Sequence, residues 1–419
     1  MKTRTFYNLP IPVNMTVLKN GLPVISGVFR SPQKNVPELV TVLLVFTVGS
    51  IDDSSLPGIA HFLEHIVLDG PNNDSIHPRM MNIVLRGAEL DGCTSETTTI
   101  YSVTGQAADL REMIEALAGI CFELDTSGPV IQRERNVILQ EISQRGPEEI
   151  LNESVARQLF PDHPQLHYFP AGNLASVESV TQANLAAFHT AHYTAPNAAL
   201  IVVGSVQHDD VLECASRNEF LCAPGAARNQ AQSVMPERVW TMVHIPGITH
   251  TRVLSFPRPN DMRTHALLTM ASRLFSHFPF GSIMKLLRVR DGLIYGVGIS
   301  SSQLPTSYTQ MVFESNPQHF EHITQTAIKC IQQVGRNEIS DQAWQAGTAN
   351  YAVTAAMNAN TAGTEGWANW LASELVHHRL EQDTCVMNIA LAATRQEVAE
   401  AVASCLKPEE CGIIDALPA

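Results

Sequence analysis

Apolar and polar positions in the first half of the chain predict strands that alternate with helices. Asn20-Gly21 separates two apolar runs, which indicates a tight hairpin turn. Residues 39–50, LVTVLLVFTVGS, are apolar and rich in β-branched residues, as is typical of a buried central strand, and residues 197–204 predict a closing strand. Residues 107–124 predict a helix, because apolar side chains recur there at helical spacing: Leu110, Met113, Ile114, Leu117 and Cys121.

A second helix is predicted to begin at Pro129 and to end at Gly146-Pro147, with Val130, Val137 and Ile138 facing inward. Further along, residues 219–238 lose all periodicity and gather Pro, Gly, Ala and Gln, which indicates a linker. The pattern then restarts, with strands over 251–259 and 308–315, a helix over 262–278 and more helices from 317 onward. The sequence therefore predicts an N-terminal domain over 1–218 and a C-terminal domain of similar size over 239–419.

Composition and charge restrict the class of protein. The chain has 419 residues, of which 45% are apolar and 16% charged, so it can bury sizeable cores. Its net charge of −14 argues against nucleic acid or an anionic membrane surface as the main partner. The N-terminus reads as no signal peptide, no apolar run reaches membrane-spanning length, and the eight cysteines are scattered without a C-x-x-C pair. These features predict a cytoplasmic protein with reduced thiols and no membrane partner.

The stretch GIAHFLEHIVLDG, residues 58–70, is the main candidate for chemistry. In a helix that starts near Pro57, His61 and His65 lie on one face about 6 Å apart along the axis, close enough for two imidazoles to bind one Zn²⁺. Glu64 projects beside them and can accept a proton from a zinc-bound water. The alternative is a pair of solvated or core histidines near a glutamate, since a chance H-x-x-E-H arises in on the order of a few per cent of such chains.

A catalytic zinc also needs a third protein ligand. The predicted helix after Pro129 offers Glu134 and Glu141, two turns apart and therefore on one face. Taken by themselves, two aligned carboxylates on an amphipathic helix are more often a solvated surface.

Together, H-x-x-E-H and the segment ERNVILQEI resemble the pitrilysin/insulinase family of zinc peptidases. In that family the third ligand is a glutamate at the separation that Glu141 has from His65, and a second functional glutamate precedes it where Glu134 stands. The resemblance implies a zinc metalloendopeptidase with one Zn²⁺ per chain, held by His61, His65 and Glu141. It implies Glu64 as general base and Glu134 as a catalytic carboxylate that orients a ligand or the water.

Two further segments resemble substrate-binding parts of the family. Residues 87–101, GAELDGCTSETTTIY, are similar to the edge strand to which the substrate backbone is added, which implies contacts from Asp91, Gly92, Cys93 and Thr94, with Ser95, Thr99 and Tyr101 also fitting. Asp91 and Gly92 depart from the family's usual Asn-Ala. The alternative is a plain exposed strand.

In the second half, LLRVRDGLIYGVG is similar to the family's Arg/Tyr segment, with Gly292 ending a helix between Arg288 and Tyr295. The resemblance implies that this pair hydrogen-bonds the substrate carbonyl and stabilises the oxyanion. The alternative is a surface arginine and a half-buried tyrosine. Four other histidines, His163, His167, His377 and His378, are interpreted as structural.

The resemblance also implies the architecture and the partners. The expected fold class is α+β, with two similar domains that each consist of a mostly antiparallel sheet covered by helices. The family's two-domain chains pair, as a homodimer or with a related subunit, into a clamshell whose chamber admits peptides or unfolded segments. The alternative function is a non-catalytic or partner-dependent subunit, since the family contains inactive paralogues that serve assembly or substrate docking.

Overall fold

The computed structural model describes residues 2–31, 35–69, 77–124, 128–226 and 232–419. Its strands are β1 (Thr3–Phe6), β2 (Val13–Val17), β3 (Pro23–Val28), β4 (Leu39–Phe46), β5 (Glu89–Thr94), β6 (Thr99–Gln106), β7 (Ala198–Gly204), β8 (Trp240–Ile245), β9 (Thr251–Pro257), β10 (Val297–Ser301), β11 (Tyr308–Glu314) and β12 (Gly412–Pro418). Its α-helices are α1 (Ile59–Leu68), α2 (Pro78–Leu85), α3 (Leu110–Phe122), α4 (Gly128–Ser143), α5 (Pro147–Leu159), α6 (Leu174–Ser179), α7 (Gln182–His192), α8 (His208–Arg217), α9 (Met262–Ser276), α10 (Phe320–Gly335), α11 (Asp341–Thr361), α12 (Gly363–Val376), α13 (Val386–Ala392) and α14 (Arg395–Cys405). A π-helical segment covers Met284–Arg290.

The first of two compact units comprises residues 1–144, 168–230 and 360–383. Its sheet has the strand order β1-β2-β3-β7-β4-β6-β5, in which β3 and β7 are parallel and the other described pairs are antiparallel. The core lies between this sheet and the helices, with β4 buried along almost its whole length. The predictions of a hairpin around Asn20-Gly21 and of a central strand at 39–50 are confirmed.

The second unit comprises residues 145–167, 231–359 and 384–419. Its strand order is β10-β11-β9-β12-β8, with β8 and β12 parallel and the other described pairs antiparallel. Reading each sheet in chain order, β8 to β12 repeat the arrangement of β3 to β7, including the position of the parallel pair. The predicted α+β class with two similar, mostly antiparallel, helix-covered domains is confirmed.

Helix positions agree with the periodicity in most places and differ in two. The five apolar residues that predicted the helix at 107–124 are all buried in α3. In α4, Val130 and Ile138 are buried, but Val137 is 42% exposed, so its predicted inward position is wrong. Val137 is adjacent to Ile138 on the helix, and the narrow apolar face of α4 accommodates only one of the two. The motif helix begins at Ile59, beyond Pro57, because Gly58 takes the cap position.

The division into domains at 1–218 and 239–419 stays a prediction. The two compact units differ from this predicted division in two segments. Residues 145–167 belong to the second unit, and residues 360–383 belong to the first. Of the predicted linker at 219–238, residues 227–231 lie outside the described residues. Across the part of the chain that the structure describes, no helix has both the length and the apolar character needed to cross a membrane.

Candidate metal centre

Helix α1 is held in place at its N-terminus, which fixes the direction of the histidine motif. Gly58 has a φ of 96°, a left-handed conformation that glycine adopts at little cost. A Cβ there would approach the Ala171 carbonyl oxygen to 2.6 Å, so the site also requires glycine for space. The two Asp53 carboxylate oxygens accept hydrogen bonds from the Gly58 and Ala60 N–H groups, at 2.6 and 3.0 Å. These bonds satisfy N–H groups at the start of the helix that would otherwise lack partners.

His61, His65 and Glu141 converge at one point. The two imidazoles lie one turn apart on α1 with ring centroids 4.7 Å apart, and α4 packs against α1 with Glu141 directed at them. Glu141 Oε2 lies 3.8 Å from Nε2 of His61 and 3.8 Å from Nε2 of His65. One ligand atom from each residue falls within 4.8 Å of the other two.

This group of donors fits zinc. Ligand bonds of about 2.0–2.2 Å in a tetrahedron place neighbouring ligand atoms about 3.4 Å apart. The 3.8 Å separations are therefore within about half an ångström of that spacing. Two imidazole nitrogens with one carboxylate oxygen also match the donor types of catalytic zinc sites, which leave a position open.

Glu134 contacts the His65 imidazole at Nδ1, the nitrogen on the side away from Glu141. Its Oε2 lies 3.0 Å from His65 Nδ1, and its Oε1 accepts a hydrogen bond of 3.1 Å from Arg133 Nε. Arg133 is also ion-paired with Asp69, at the C-terminal end of α1. Burial raises the pKa of the Glu134 carboxyl, but the hydrogen bonds from His65 and Arg133 outweigh it, and the pKa lies below its usual range. The ionised carboxylate therefore accepts from Nδ1 and leaves Nε2 directed towards Glu141.

The pKa of His65 moves in the opposite direction to that of Glu134. Burial lowers its pKa, but the hydrogen bond to Glu134 and the charges of Glu64 and Glu141 outweigh this effect, so the pKa of His65 is raised. The concentration of negative charge around the imidazole favours a cation at this point, whether a proton or a metal ion.

Glu64 lies on the same helix and is 5% exposed. Thr94 Oγ1 donates a hydrogen bond of 2.7 Å to Glu64 Oε2. Burial raises the pKa of Glu64 above its usual range, although the Thr94 hydrogen bond and the charge of His65 lower it. A carboxylate whose proton affinity is raised by burial is suited to proton transfer near neutral pH.

These residues line one pocket of about 500 Å³ together with the edge strand β5. Of the residues singled out in the sequence, the pocket brings together His61, Glu64, His65, Asp91, Gly92, Cys93, Thr94, Glu134 and Glu141. Leu68, Asp69, Phe169 and Pro170 complete its wall. The sequence did not indicate these four residues or Arg133, because no spacing or motif links them to the histidines.

Strand β5 stands at the edge of its sheet and pairs with β6 on one side, so its other side has no strand partner among the described residues. An extended peptide can be added to such an edge. Thr99 and Tyr101, which were included as fitting this strand, are on β6 instead, and their side chains are buried. Tyr101 hydrogen-bonds the Tyr193 hydroxyl at 2.7 Å within the core. The expectation that Thr99 and Tyr101 belong to the substrate-binding edge strand is wrong, because alternation along β6 directs both side chains inward.

Arg288 and Tyr295 are in the second unit. Arg288 donates to the Tyr295 carbonyl oxygen, and its guanidinium lies over the rings of Tyr295 and Phe278, at 4.4 and 4.7 Å from their centroids. The Tyr295 side chain is 83% exposed, so it is not the half-buried tyrosine of the alternative interpretation. Gly292 has a φ of 63° after the π-helical segment, consistent with its predicted role in ending a helix.

Comparisons with known proteins identify relatives of this chain. The family model for insulinase, peptidase family M16, matches residues 29–165, and the model described as the peptidase M16 inactive domain matches residues 179–351. An uncharacterized zinc protease of Rickettsia felis is 27% identical over 318 residues, covering 72% of this chain and 73% of that protein. The beta subunit of the mitochondrial-processing peptidase of Bos taurus is 32% identical over 212 residues, covering 51% of this chain and 42% of that protein.

Among solved structures, a protease from Helicobacter pylori superposes with a TM-score of 0.81 at 20% identity, over 97% of this chain and 100% of that one, and therefore shares the fold. The two family models match consecutive parts of the chain and together cover more than half of it. The chain belongs to the pitrilysin/insulinase family, peptidase family M16.

Proposed function

We propose that this chain is a zinc-dependent metalloendopeptidase that hydrolyses peptide bonds in peptides or unfolded segments. The observation that supports this most directly is the convergence of two imidazoles and a carboxylate within 4.8 Å, beside the buried Glu64. A wholly solvated surface does not account for this arrangement, because the two histidine side chains are each only 16% exposed, while the Glu141 side chain is 48% exposed. Membership of a peptidase family is consistent with the proposal.

The residues have distinct roles in this proposal. His61, His65 and Glu141 would hold one zinc ion per chain, and Glu134 would orient His65. When bound, zinc would polarise the scissile carbonyl and lower the pKa of a water molecule. Glu64 accepts the proton of the attacking water and passes it to the leaving amine.

Substrate binding is proposed at two places. The open edge of β5, with Asp91, Gly92, Cys93 and Thr94, would pair with the substrate backbone, a mode that reads main chain more than side chain. Arg288 and Tyr295 would hydrogen-bond the substrate carbonyl. The contacts of the Arg288 guanidinium with the rings of Tyr295 and Phe278 support that role, because a guanidinium already held in place loses little freedom on binding.

The second candidate is a non-catalytic or partner-dependent subunit. The match of residues 179–351 to a model described as an inactive domain favours it, as does a relative that is named as a subunit. We propose that the chain works as a homodimer or with a related subunit, in the cytoplasm. The presence of all three proposed ligands at one point supports the catalytic function over the alternative.

Zinc analysis combined with peptide turnover tests the proposal. The purified protein should contain about one zinc per chain and cleave members of a peptide library, with the products identified by mass spectrometry. Glu64→Gln should retain the zinc and lose at least about 10²-fold in turnover, because an amide cannot accept the proton. Glu148→Gln, on the exposed first turn of α5, is the matched control. A wild-type protein that binds zinc but cleaves nothing alone would favour the partner-dependent subunit.

A further inference from the structure

Strand β5 contacts the Glu64 carboxylate at both of its oxygens. Thr94 Oγ1 donates to Oε2 at 2.7 Å, and both side chains are almost fully buried. At Gly92 the carboxylate lies close to the strand because glycine has no side chain. A Cβ built there would lie 2.7 Å from Glu64 Oε1 and 2.6 Å from Leu68 Cδ1, so the carboxylate occupies the space that any other residue would fill.

The register of the sheet explains why these two positions act together. Gly92 and Thr94 are two apart on β5, so they face the same side of the sheet. Opposite them on β6 are Tyr101 and Thr99, whose side chains are buried. This is the side on which α1 packs against β5. The side chain of Thr94 is therefore engaged by Glu64, whereas the backbone of β5 keeps its open edge.

We propose that Gly92 and Thr94 are positioning residues for the general base, so that the strand offered to the substrate backbone also holds Glu64. The inference rests on the proposed function. To the backbone pairing proposed for β5 it adds a role for the Thr94 side chain and for the missing side chain of Gly92, which is to hold a carboxylate in place. Glu64 has three rotatable side-chain bonds, and the Thr94 hydroxyl and the space at Gly92 together select one orientation for its carboxylate.

The structure predicts how far the carboxylate would move. Ordinary van der Waals contact for a Cβ begins at 3.4 Å, so Gly92→Ala requires Oε1 to withdraw by about 0.7 Å. Both atoms in the way are the ends of flexible side chains, so the fold can accommodate the methyl group. A misplacement of about 1 Å at a reacting group can cost on the order of 10²-fold in rate. Alanine in a strand is intrinsically more favourable than glycine, which offsets part of the cost of moving the Glu64 and Leu68 side chains.

The test compares Gly92→Ala, Thr94→Val and Thr94→Ser. We expect kcat to fall roughly 10–100-fold for Gly92→Ala and roughly tenfold for Thr94→Val, with KM and zinc content unchanged. Thr94→Ser keeps the hydroxyl and should restore kcat to within about threefold of wild type. A crystal structure of zinc-free Gly92→Ala should show the Glu64 carboxylate displaced, which is a readout that does not depend on activity.

Two control variants separate positioning from general effects on the sheet. Gly298→Ala is on β10, the corresponding edge strand of the second unit, where the added Cβ would meet only Val312 Cβ at 3.7 Å. Thr41→Val removes a buried hydroxyl that bonds Thr104 and Thr364, and Thr41 lies on β4 at the level of Glu89 rather than of Thr94. Both should keep wild-type kcat.

The outcomes distinguish this inference from the proposed function. A zinc-loaded wild type without turnover contradicts the function, and the position of Glu64 in zinc-free Gly92→Ala then still decides the inference. An active wild type with equally active Gly92→Ala and Thr94→Val overturns the inference alone. It is also overturned if KM rises while kcat is unchanged, since the residues would then bind substrate, or if Thr94→Ser is as impaired as Thr94→Val.

Discussion

Removal of the Glu134 carboxylate should weaken zinc binding in a graded way. Glu134 Oε2 lies 3.0 Å from His65 Nδ1, and its side chain is only 11% exposed, so water cannot easily replace it. A hydrogen bond to a charged group contributes about 1.5–3 kcal/mol. At about 1.4 kcal/mol for each factor of ten, this range corresponds to roughly 10–100-fold in affinity, which is also the usual effect of losing a partner behind a metal ligand.

The two substitutions at this position should differ. Glu134→Ala removes the acceptor and should weaken zinc binding by about 100-fold. Glu134→Gln keeps a neutral acceptor, and because a charge-assisted hydrogen bond is about twice as strong as a neutral one, the loss should be nearer tenfold. Arg133→Met removes the hydrogen bond to the other carboxylate oxygen. Arg133 is 30% exposed, so solvent screening limits its effect to about 1 kcal/mol, or roughly fivefold.

Competition with a chromophoric zinc chelator at constant pH and ionic strength measures these affinities. Glu148→Gln, which removes a glutamate charge outside the site, should bind zinc as the wild type does. The order of affinities is expected to be wild type, Arg133→Met, Glu134→Gln and Glu134→Ala, from tightest to weakest. If Glu134→Ala binds zinc as tightly as the wild type, Glu134 does not orient a ligand and its proposed role is wrong.

Three other predictions concern the ligand set, the assembly and the start of α1. Glu141→Ala should purify without zinc, and stoichiometric metal in this variant would exclude Glu141 as third ligand. Glu64→Gln and Arg288→Ala should each be nearly inactive. If the active site combines the histidine motif of one chain with Arg288 of its partner, a mixture of the two variants should recover activity on subunit exchange. No recovery despite demonstrated exchange would refute a shared site. Burial raises the pKa of Asp53 from 3.8 to about 7, so the folded state binds this proton more tightly than the unfolded state. The free energy of unfolding of the wild type should therefore fall relative to that of Asp53→Asn as pH rises from about 4 to 7, by up to about 1.4 kcal/mol per pH unit. Urea unfolding of the zinc-free proteins measures this difference. If the two free energies change in parallel with pH, the pKa of Asp53 is not raised in the folded state.

The parts of the fold and site that depend on local periodicity could be predicted from the sequence. Helical spacing was enough to put His61 and His65 on one face, and the apolar run at 39–50 was enough to identify the central strand. The family resemblance added Glu141, which no local pattern connects to the histidines. Val137 was misplaced because an apolar residue next to Ile138 fits the same pattern, and only the packed helix shows which of the two is covered.

The contacts that hold the site residues in place could not be predicted from periodicity or from the family resemblance. The contact of Thr94 and Gly92 with Glu64 depends on how β5 aligns with α1, and the contact of Glu134 with His65 depends on the rotation of α4 against α1. Neither alignment leaves a periodic signal, since the residues involved are polar or small and occur at ordinary spacings. Resemblance indicated that residues 91–94 matter, but it did not indicate that one hydroxyl is directed towards the base.

The two units share a sheet order but differ in the side chains placed on it, and among the described residues the cluster of His61, His65 and Glu141 lies in the first unit. Helix α9 follows β9 as α1 follows β4, and β10 is an edge strand like β5, so the second unit has the same framework. Helix α9 is described throughout and contains a single histidine, His265, without the H-x-x-E-H pattern. The segment between α9 and β10 instead presents Arg288 and Tyr295. In the proposed function, one framework holds a metal in the first unit and contacts peptide in the second, because function depends on the side chains placed on a fold rather than on the fold itself. The model described as the peptidase M16 inactive domain matches residues 179–351, a range that includes Arg288 and Tyr295 but not the histidine motif or Glu141.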